Sequence, residues 1–439
     1  MKNKALLILA HQGRSYIKDI RRYLDLLNVK CIILSSKPRD ERDLALLKEH
    51  SEKVWVLETD CITEDGLFET LKQAQNDFEV VNTLATFEAY RVLMAKANQT
   101  LSGSDVDTHS LMQCMDKHSC RQTLFNHGLS HVRSELLEDE SQLLRLKQDE
   151  NAYFIKPRRG AGSFACFRLT DDITLTKLAQ LKEQMRSDKQ FAAIFNGQFD
   201  FIAEGYIRGD EFSFETFVID EEVYVVGVHA KYVEEQQGTT LEVSNSLPAL
   251  NLTNSEQLQG EAFITRCLAA LNLKQGAYHI ETRYDRDNKR WEVIEVNTRM
   301  GGALINQSVE VFTGGESFLK LWIELLCGTN AVMRTGLKEK MTKLRESRRR
   351  AADQINAASV FISRYGLPGK TLSHLSIDKV MIKPDIIDMP VRVGTTMAKS
   401  ERGLFLCNAL WKVDIDSLSD SLDNLPLQFD AGMEVAYDN

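Results

Sequence analysis

The first hundred residues alternate short apolar runs with amphipathic stretches, and this alternation restricts the fold more than any other feature of the chain. Ala5–Ala10, Val29–Ser35, Lys53–Leu57 and Glu79–Thr83 read as strands, whereas Tyr16–Leu27 and Glu64–Gln75 read as helices. In the second helix the signal is the spacing of Leu67, Leu71 and Ala74. Strand–helix alternation of this kind predicts a doubly wound parallel sheet. The Gly-x-Gly-x-x-Gly turn of dinucleotide-binding sheets is missing after the first strand, so no dinucleotide is expected there.

With 439 residues the chain exceeds one ordinary core and is expected to form several packed units. Its 54 basic and 63 acidic residues leave a net charge of −9, which argues against a general nucleic-acid binder. No run of about eighteen apolar residues occurs, so no membrane span is expected. The opening run Ala5–Ala10 superficially resembles a signal peptide but meets His11-Gln12-Gly13-Arg14 without a small-residue cleavage site, and a buried first strand is the better reading. The eight cysteines are scattered without a Cys-x-x-Cys pair, which suits reduced thiols in a cytoplasm. Cys114, His118 and Cys120 lack a fourth ligand and the tighter spacing of zinc sites.

Phe87–Gln99 and Ser110–His127 look helical, and Ala152–Ile155, Phe164–Leu169, Phe199–Glu204, Phe212–Ile219 and Val223–His229 look like short strands. A helix over Glu256–Leu271 leads into strands Gly276–Tyr284 and Trp291–Val296, joined by the polar turn Asp285-Arg286-Asp287-Asn288. The basic helix Lys338–Arg350 reads as a solvated face or a connection between lobes, with binding of nucleic acid or an acidic partner as the lesser alternative. From Ala358 onward the pattern turns strand-rich, with Gly366, Gly369, Pro384 and Gly394 marking turns.

Three stretches carry chemistry. Lys156-Pro157-Arg158-Arg159-Gly160-Ala161-Gly162-Ser163 places a lysine at a strand end before a loop of small residues. Backbone N–H groups in such a loop can approach phosphate oxygens, and the lysine neutralises their charge. In Glu204-Gly205-Tyr206-Ile207-Arg208-Gly209-Asp210-Glu211 an extended segment ends in a hinge and restarts as a strand. Such a hinge can offer backbone groups to an adenine edge, and Glu211 can accept from ribose hydroxyls; an ordinary hairpin with solvated acids is the competing reading. In the third stretch, alternation puts His279 and Glu281 on one face of a strand, and Glu295 and Asn297 on one face of the next. These oxygen ligands suit Mg²⁺, which binds one or two carboxylates plus substrate phosphates. Arg299 adds a planar cation for a transferring phosphoryl group or acyl oxygen.

Together these stretches resemble the ATP-grasp superfamily, and within it the carboxylate–amine ligases that include L-amino acid ligases (dipeptide synthases). The resemblance is specific over Leu111–Thr329 and more diffuse at both ends. It begins with Asp116-Lys117, Arg121 and Gly128, and implies that Lys117 and Lys156 are the nucleotide-binding lysines. It further implies a phosphate lid at Gly160, Gly162 and Ser163, an adenine hinge at Glu204, Tyr206 and Ile207, and a ribose contact at Glu211. Glu281, Glu295 and Asn297 fall on the Mg²⁺ ligands (Mn²⁺ being a substitute), with Arg299 and Lys156 in catalytic roles. A family loop Glu-x-Gly-His-x-x-Pro corresponds to Glu242-Val243-Ser244-Asn245-Ser246-Leu247-Pro248, where Ser244 and Asn245 depart from the pattern and put substrate identity in doubt. His279 reads either as a half-buried strand histidine or as a residue orienting a ligand, and Glu242, Asn245, Gly301 and Gly302 are the other substrate-side candidates.

The implied architecture is an α/β chain with a doubly wound parallel lobe at residues 1–110, an ATP-grasp domain at 111–329 with a lid near 150–210, and a strand-rich lobe at 330–439. Val391–Cys407, with Ser400-Glu401-Arg402-Gly403, suits that last lobe. The implied activity is ATP-dependent joining of a small carboxylate, amino acid-like, to an amine through an acyl phosphate, releasing ADP and phosphate. Carboxylation, or another acyl-phosphate-forming reaction, through the same nucleotide site is the alternative, and a nucleotide-binding protein without turnover is a third reading. Nucleic acid and membranes are not expected partners, and a homodimer is the family's habit.

Overall fold

The computed structural model describes residues 2–13, 16–101, 105–187, 192–236, 239–350, 357–397 and 405–438. Ser400-Glu401-Arg402-Gly403 lies outside the described residues. Near the amino terminus a four-stranded parallel sheet runs in the order Lys53–Val56, Lys30–Ser35, Asn3–Ala10, Phe78–Leu84. Ala5–Ala10 is buried throughout, which explains why its apolar run does not alternate: both faces of the strand are covered. Part of that cover comes from far along the chain. The helix Phe318–Cys327 is almost wholly apolar, buries Trp322 completely, and packs into the same core. Asn82 on the last strand donates to the Leu326 carbonyl at 2.7 Å.

A second, antiparallel sheet of eight strands runs Arg290–Asn297, Gly276–Asp285, Asp210–Ile219, Glu222–Gln236, Thr239–Leu247, Ala358–Tyr365, Phe405–Val413, Ile386–Asp388. A smaller antiparallel sheet orders Ser134–Leu136, Phe201–Gly205, Tyr153–Pro157 and Phe167–Arg168. It carries its own core around Ile155, Phe164, Phe195 and Phe201.

Several local expectations need correction. Ser110–His127 is not one helix but two, Thr108–Met115 and Lys117–Asn126, because Asp116 leaves the helical region and its carboxylate caps the second helix at the His118 and Ser119 N–H groups. The helix Glu41–Glu49, capped by Asp40, lies where no helix was read. The strand-rich tail contains a 15-residue helix, Leu418–Gly432, despite Pro426 inside it. Leu418, Leu425 and Phe429 are buried against the C-terminal strands, and that packing overrides the proline signal.

At the carboxyl end of the first strand, His11 stacks on Phe87 with centroids 4.1 Å apart, and its Nδ1 meets the Tyr90 hydroxyl at 2.9 Å. Burial, assisted by Arg39, lowers its pKa from 6.5 to about 4. The unfolded chain therefore takes up a proton near pH 6.5 that the folded chain resists until about pH 4. Stability from neutral His11 is complete above that window and lost as the pH falls through it. His11→Phe should flatten the loss by up to roughly 3 kcal/mol, read as urea midpoints at neutral and mildly acidic pH; an unchanged pH dependence would count against this role.

Candidate active site

The strands Gly276–Asp285 and Arg290–Asn297 pair with His279 opposite Asn297 and Glu281 opposite Glu295, so alternation brings all four side chains to one face. They line a cavity of about 260 Å³. Glu295 pairs with the Lys117 ammonium at 2.6 Å, and Glu281 with Lys231 at 2.8 Å. Burial would raise the Glu281 pKa, but Lys231 and His279 outweigh it and hold the carboxyl well below its usual range. His279 Nδ1 lies 2.8 Å from Glu215 and Nε2 lies 3.3 Å from Glu281. Burial opposes its protonation, yet Glu215 and Glu281 lift the pKa to about 9, so the ring is an imidazolium at neutral pH.

The donor set Glu281, Glu295 and Asn297 is all oxygen and fits Mg²⁺. Among the described residues no group of three or more His, Cys, Asp or Glu side chains is arranged to hold a metal ion. Two carboxylates and an amide would thus need further oxygens, such as those of a phosphate chain.

Lys117 opens its helix and joins two parts of the site: besides Glu295, its Nζ donates to the Gly160 carbonyl at 2.7 Å. Its backbone N–H donates to the Arg158 carbonyl at 3.0 Å, and Arg158 forks onto Asp116 at 2.8 and 2.5 Å. The loop that follows holds Gly162 at φ 69° and Ser163 at φ 57°, a left-handed turn in which Gly160, Gly162 and Ser163 border the cavity. Lys156, on the strand before it, donates to Glu204 at 2.6 Å. Glu204 also accepts from Arg121 at 2.8 Å, so its carboxylate is engaged by two buried cations. Burial alone would raise its pKa; Arg121 and Lys156 outweigh that and lower it.

Tyr206 and Ile207 occupy the hinge between the strands Phe201–Gly205 and Asp210–Ile219 and border the cavity. Glu211 also borders it and pairs with Arg283 at 3.1 Å and Lys231 at 3.7 Å. Glu242 and Gly302 line the cavity as well, but Asn245 and Gly301 do not. Asn245 is fully buried and donates its amide to Glu242. Gly301 packs on His279: a Cβ there would come within 2.8 Å of the ring Nδ1. Arg299 faces the cavity with its guanidinium on Glu88 and the Met300 carbonyl.

Residues 150–307, which carry most of these groups, match the family model of the ATP-grasp domain. The chain contains an ATP-grasp domain. Its fold is shared along the full length by L-amino acid ligase from Bacillus licheniformis, at TM-score 0.74 and 19% identity, covering 100% of both chains. Phosphoribosylglycinamide synthetase from Anaerococcus prevotii superposes at TM-score 0.65 and 15% identity, again over 100% of both. The biotin carboxylase domain of Hydrogenobacter thermophilus 2-oxoglutarate carboxylase, solved with MgADP and bicarbonate, gives TM-score 0.68 and 12% identity over 100% of this chain and 91% of that one. At such identities the likeness is one of fold. In sequence, the uncharacterized protein y4rH of Sinorhizobium fredii (strain NBRC 101917 / NGR234) is 24% identical over 405 residues, 90% of this chain and 76% of that protein.

Sequence reasoning missed several groups of this site. Lys231 is buried and shared by Glu211, Glu242 and Glu281. The available signal was a lysine following Val223–His229, a run too apolar to suggest a solvated strand. Glu215 is buried between His229 and His279 at 3.3 and 2.8 Å. The turn Glu88–Arg91, in the amino-terminal lobe, clasps the ATP-grasp domain twice: Glu88 takes the Arg299 guanidinium, and Arg91 donates to the Thr298 carbonyl at 2.7 Å. No local pattern announces contacts across more than 200 residues of chain.

Proposed function

We propose that the protein is an ATP-dependent carboxylate–amine ligase acting on an amino acid or amino acid-like substrate through an acyl phosphate. The carrying observation is convergence: Lys117, Lys156, Arg299 and the acids Glu281 and Glu295, with Asn297, border one cavity under a glycine-containing loop. Mg²⁺ held by Glu281, Glu295 and Asn297 would neutralise phosphate charge during transfer. Lys117 and Lys156 supply further positive charge to the phosphate chain, and Arg299 faces the reacting centre. A substrate carboxylate oxygen attacks the γ-phosphorus as its bond to ADP breaks. The amine nitrogen then attacks the acyl carbon, phosphate leaves, and the nitrogen loses a proton. The loop Arg158–Ser163 keeps water from the acyl phosphate until the amine arrives.

The test is a matrix of acid and amine pairs scored for ADP and phosphate, with mass detection of the amide. AMP in place of ADP would overturn the mechanism, and bicarbonate-dependent turnover without an amine would favour carboxylation. Glu88→Gln should lower kcat roughly ten- to a hundredfold with the KM for ATP within about twofold, because it loosens Arg299 without touching nucleotide. Glu88→Asp should recover part of the loss; a raised KM for ATP at unchanged kcat would remove this positioning role.

A further inference from the structure

The cavity changes character beyond Lys231. There its wall is formed by Val233 and Leu241 on the strand pair Glu222–Gln236 and Thr239–Leu247, and by Tyr365 and Phe405 on the next two strands of the sheet. Tyr365 lies opposite Phe405 in register, with ring centroids 4.9 Å apart and planes tilted by 32°. The Tyr365 hydroxyl donates to the Glu242 carbonyl at 2.9 Å, which fixes the ring beside the cavity. Both rings stay half-buried while residues 358–363 and 406–411 of the same strands are buried. At this end of the cavity, away from the acids Glu281 and Glu295, the two rings present apolar surface that gains from an apolar ligand group laid against it.

This wall is coupled to the acids of the reacting centre. Lys231 bridges Glu281 and Glu242 at 2.8 Å each, and Glu242 directly follows Leu241. One ammonium serves three carboxylates there, since Glu211 also lies 3.7 Å from Lys231. Glu211 is also paired with Arg283 and Glu281 with His279, whereas among the described residues Glu242 has no ion pair beyond the shared Lys231, so a cationic group beside it is favoured.

We infer that this end of the cavity is a side-chain subsite for an α-amino acid with a bulky apolar side chain, which lies against Tyr365 and Phe405 with its ammonium beside Glu242. The inference rests on the ligase reading above. It is tested with wild type, Tyr365→Ala and Phe405→Ala on glycine, alanine, serine, glutamate, leucine, methionine and phenylalanine in all pairs, scored for ADP and amide. Wild type should prefer a bulky apolar residue in one position by roughly tenfold or more in kcat/KM. Each alanine variant should lose roughly that factor with bulky apolar substrates and less than about twofold with glycine or alanine, at unchanged KM for ATP. Tyr365→Phe and Phe405→Leu keep the wall apolar and should retain the preference, which covers the case of a poorly folding alanine variant. A wild type indifferent to side chain, a wild type preferring polar amino acids, or equal losses with every substrate would overturn the subsite while leaving the ligase reading intact. Should no pair release ADP, the ligase reading falls; calorimetry of leucine and phenylalanine against wild type and Tyr365→Ala then decides the subsite alone, weaker binding by the variant supporting it and equal or absent binding removing it.

Discussion

Glu295→Ala should reduce ADP release by roughly a thousandfold or more at saturating Mg²⁺, the scale expected when a group stabilising phosphoryl transfer is removed. Glu295 stands opposite Glu281 in the strand register and accepts from Lys117 at 2.6 Å. Its loss removes one of two carboxylates from the proposed metal-binding oxygen set and the ion-pair partner of Lys117. Lys117 keeps its bond to the Gly160 carbonyl, so the fold should survive and the effect should be kinetic. Melting temperature, nucleotide binding and turnover, measured together, separate these consequences. Near-normal turnover at saturating Mg²⁺ would remove Glu295 from the site.

The largest effect on stability is expected at Glu204. It is 3% exposed and serves as counterion to Arg121 and Lys156, both also buried. Glu204→Ala leaves two buried cations without this partner, and breaking a buried ionic arrangement from one side costs about 3–5 kcal/mol. Arg121 retains Glu292 at 2.7 Å and the Ser130 hydroxyl at 3.0 Å, so Lys156 is left the more exposed to the loss. Glu204→Gln should recover part of the stability by keeping an oxygen acceptor. Because the folded-state pKa of Glu204 lies below its ordinary value, its contribution is present above about pH 4.3 and fades as the pH falls through the folded value. Urea midpoints of wild type and Glu204→Gln should converge under acid conditions; a constant gap down to low pH would show that charge pairing is not the source.

Much of the fold was legible because its signals are local. The parallel sheet followed from apolar runs alternating with amphipathic ones. The Glu281/Glu295 hairpin followed from two strand patterns flanking a polar turn, and its register follows once strands with period-two faces pair around that turn. The misread segments have two separate causes. Leu418–Gly432 is helical although Pro426 argues otherwise, and the break at Asp116 exists because a carboxylate found two backbone N–H groups to cap. The helix depends on packing partners that a local window does not contain, whereas the break is a local cap, with its N–H groups two and three residues on, inside a stretch whose helical pattern runs through it.

The same division applies to the site. Residue types and their spacing within one segment determined the glycine-containing loop after Lys156, the acids and amide on one strand face, and the family-model match of residues 150–307. Those are properties of a strand or turn, which short-range geometry sets. Only the tertiary structure decided that Lys231 is shared by three carboxylates and that Glu88 and Arg91 reach from the first lobe to Arg299 and Thr298. It also decided that Tyr365 and Phe405 complete the cavity wall. Such contacts join residues brought together by the packing of whole sheets, and an ion pair or a stacked ring exists only once distant backbone has placed both partners within reach.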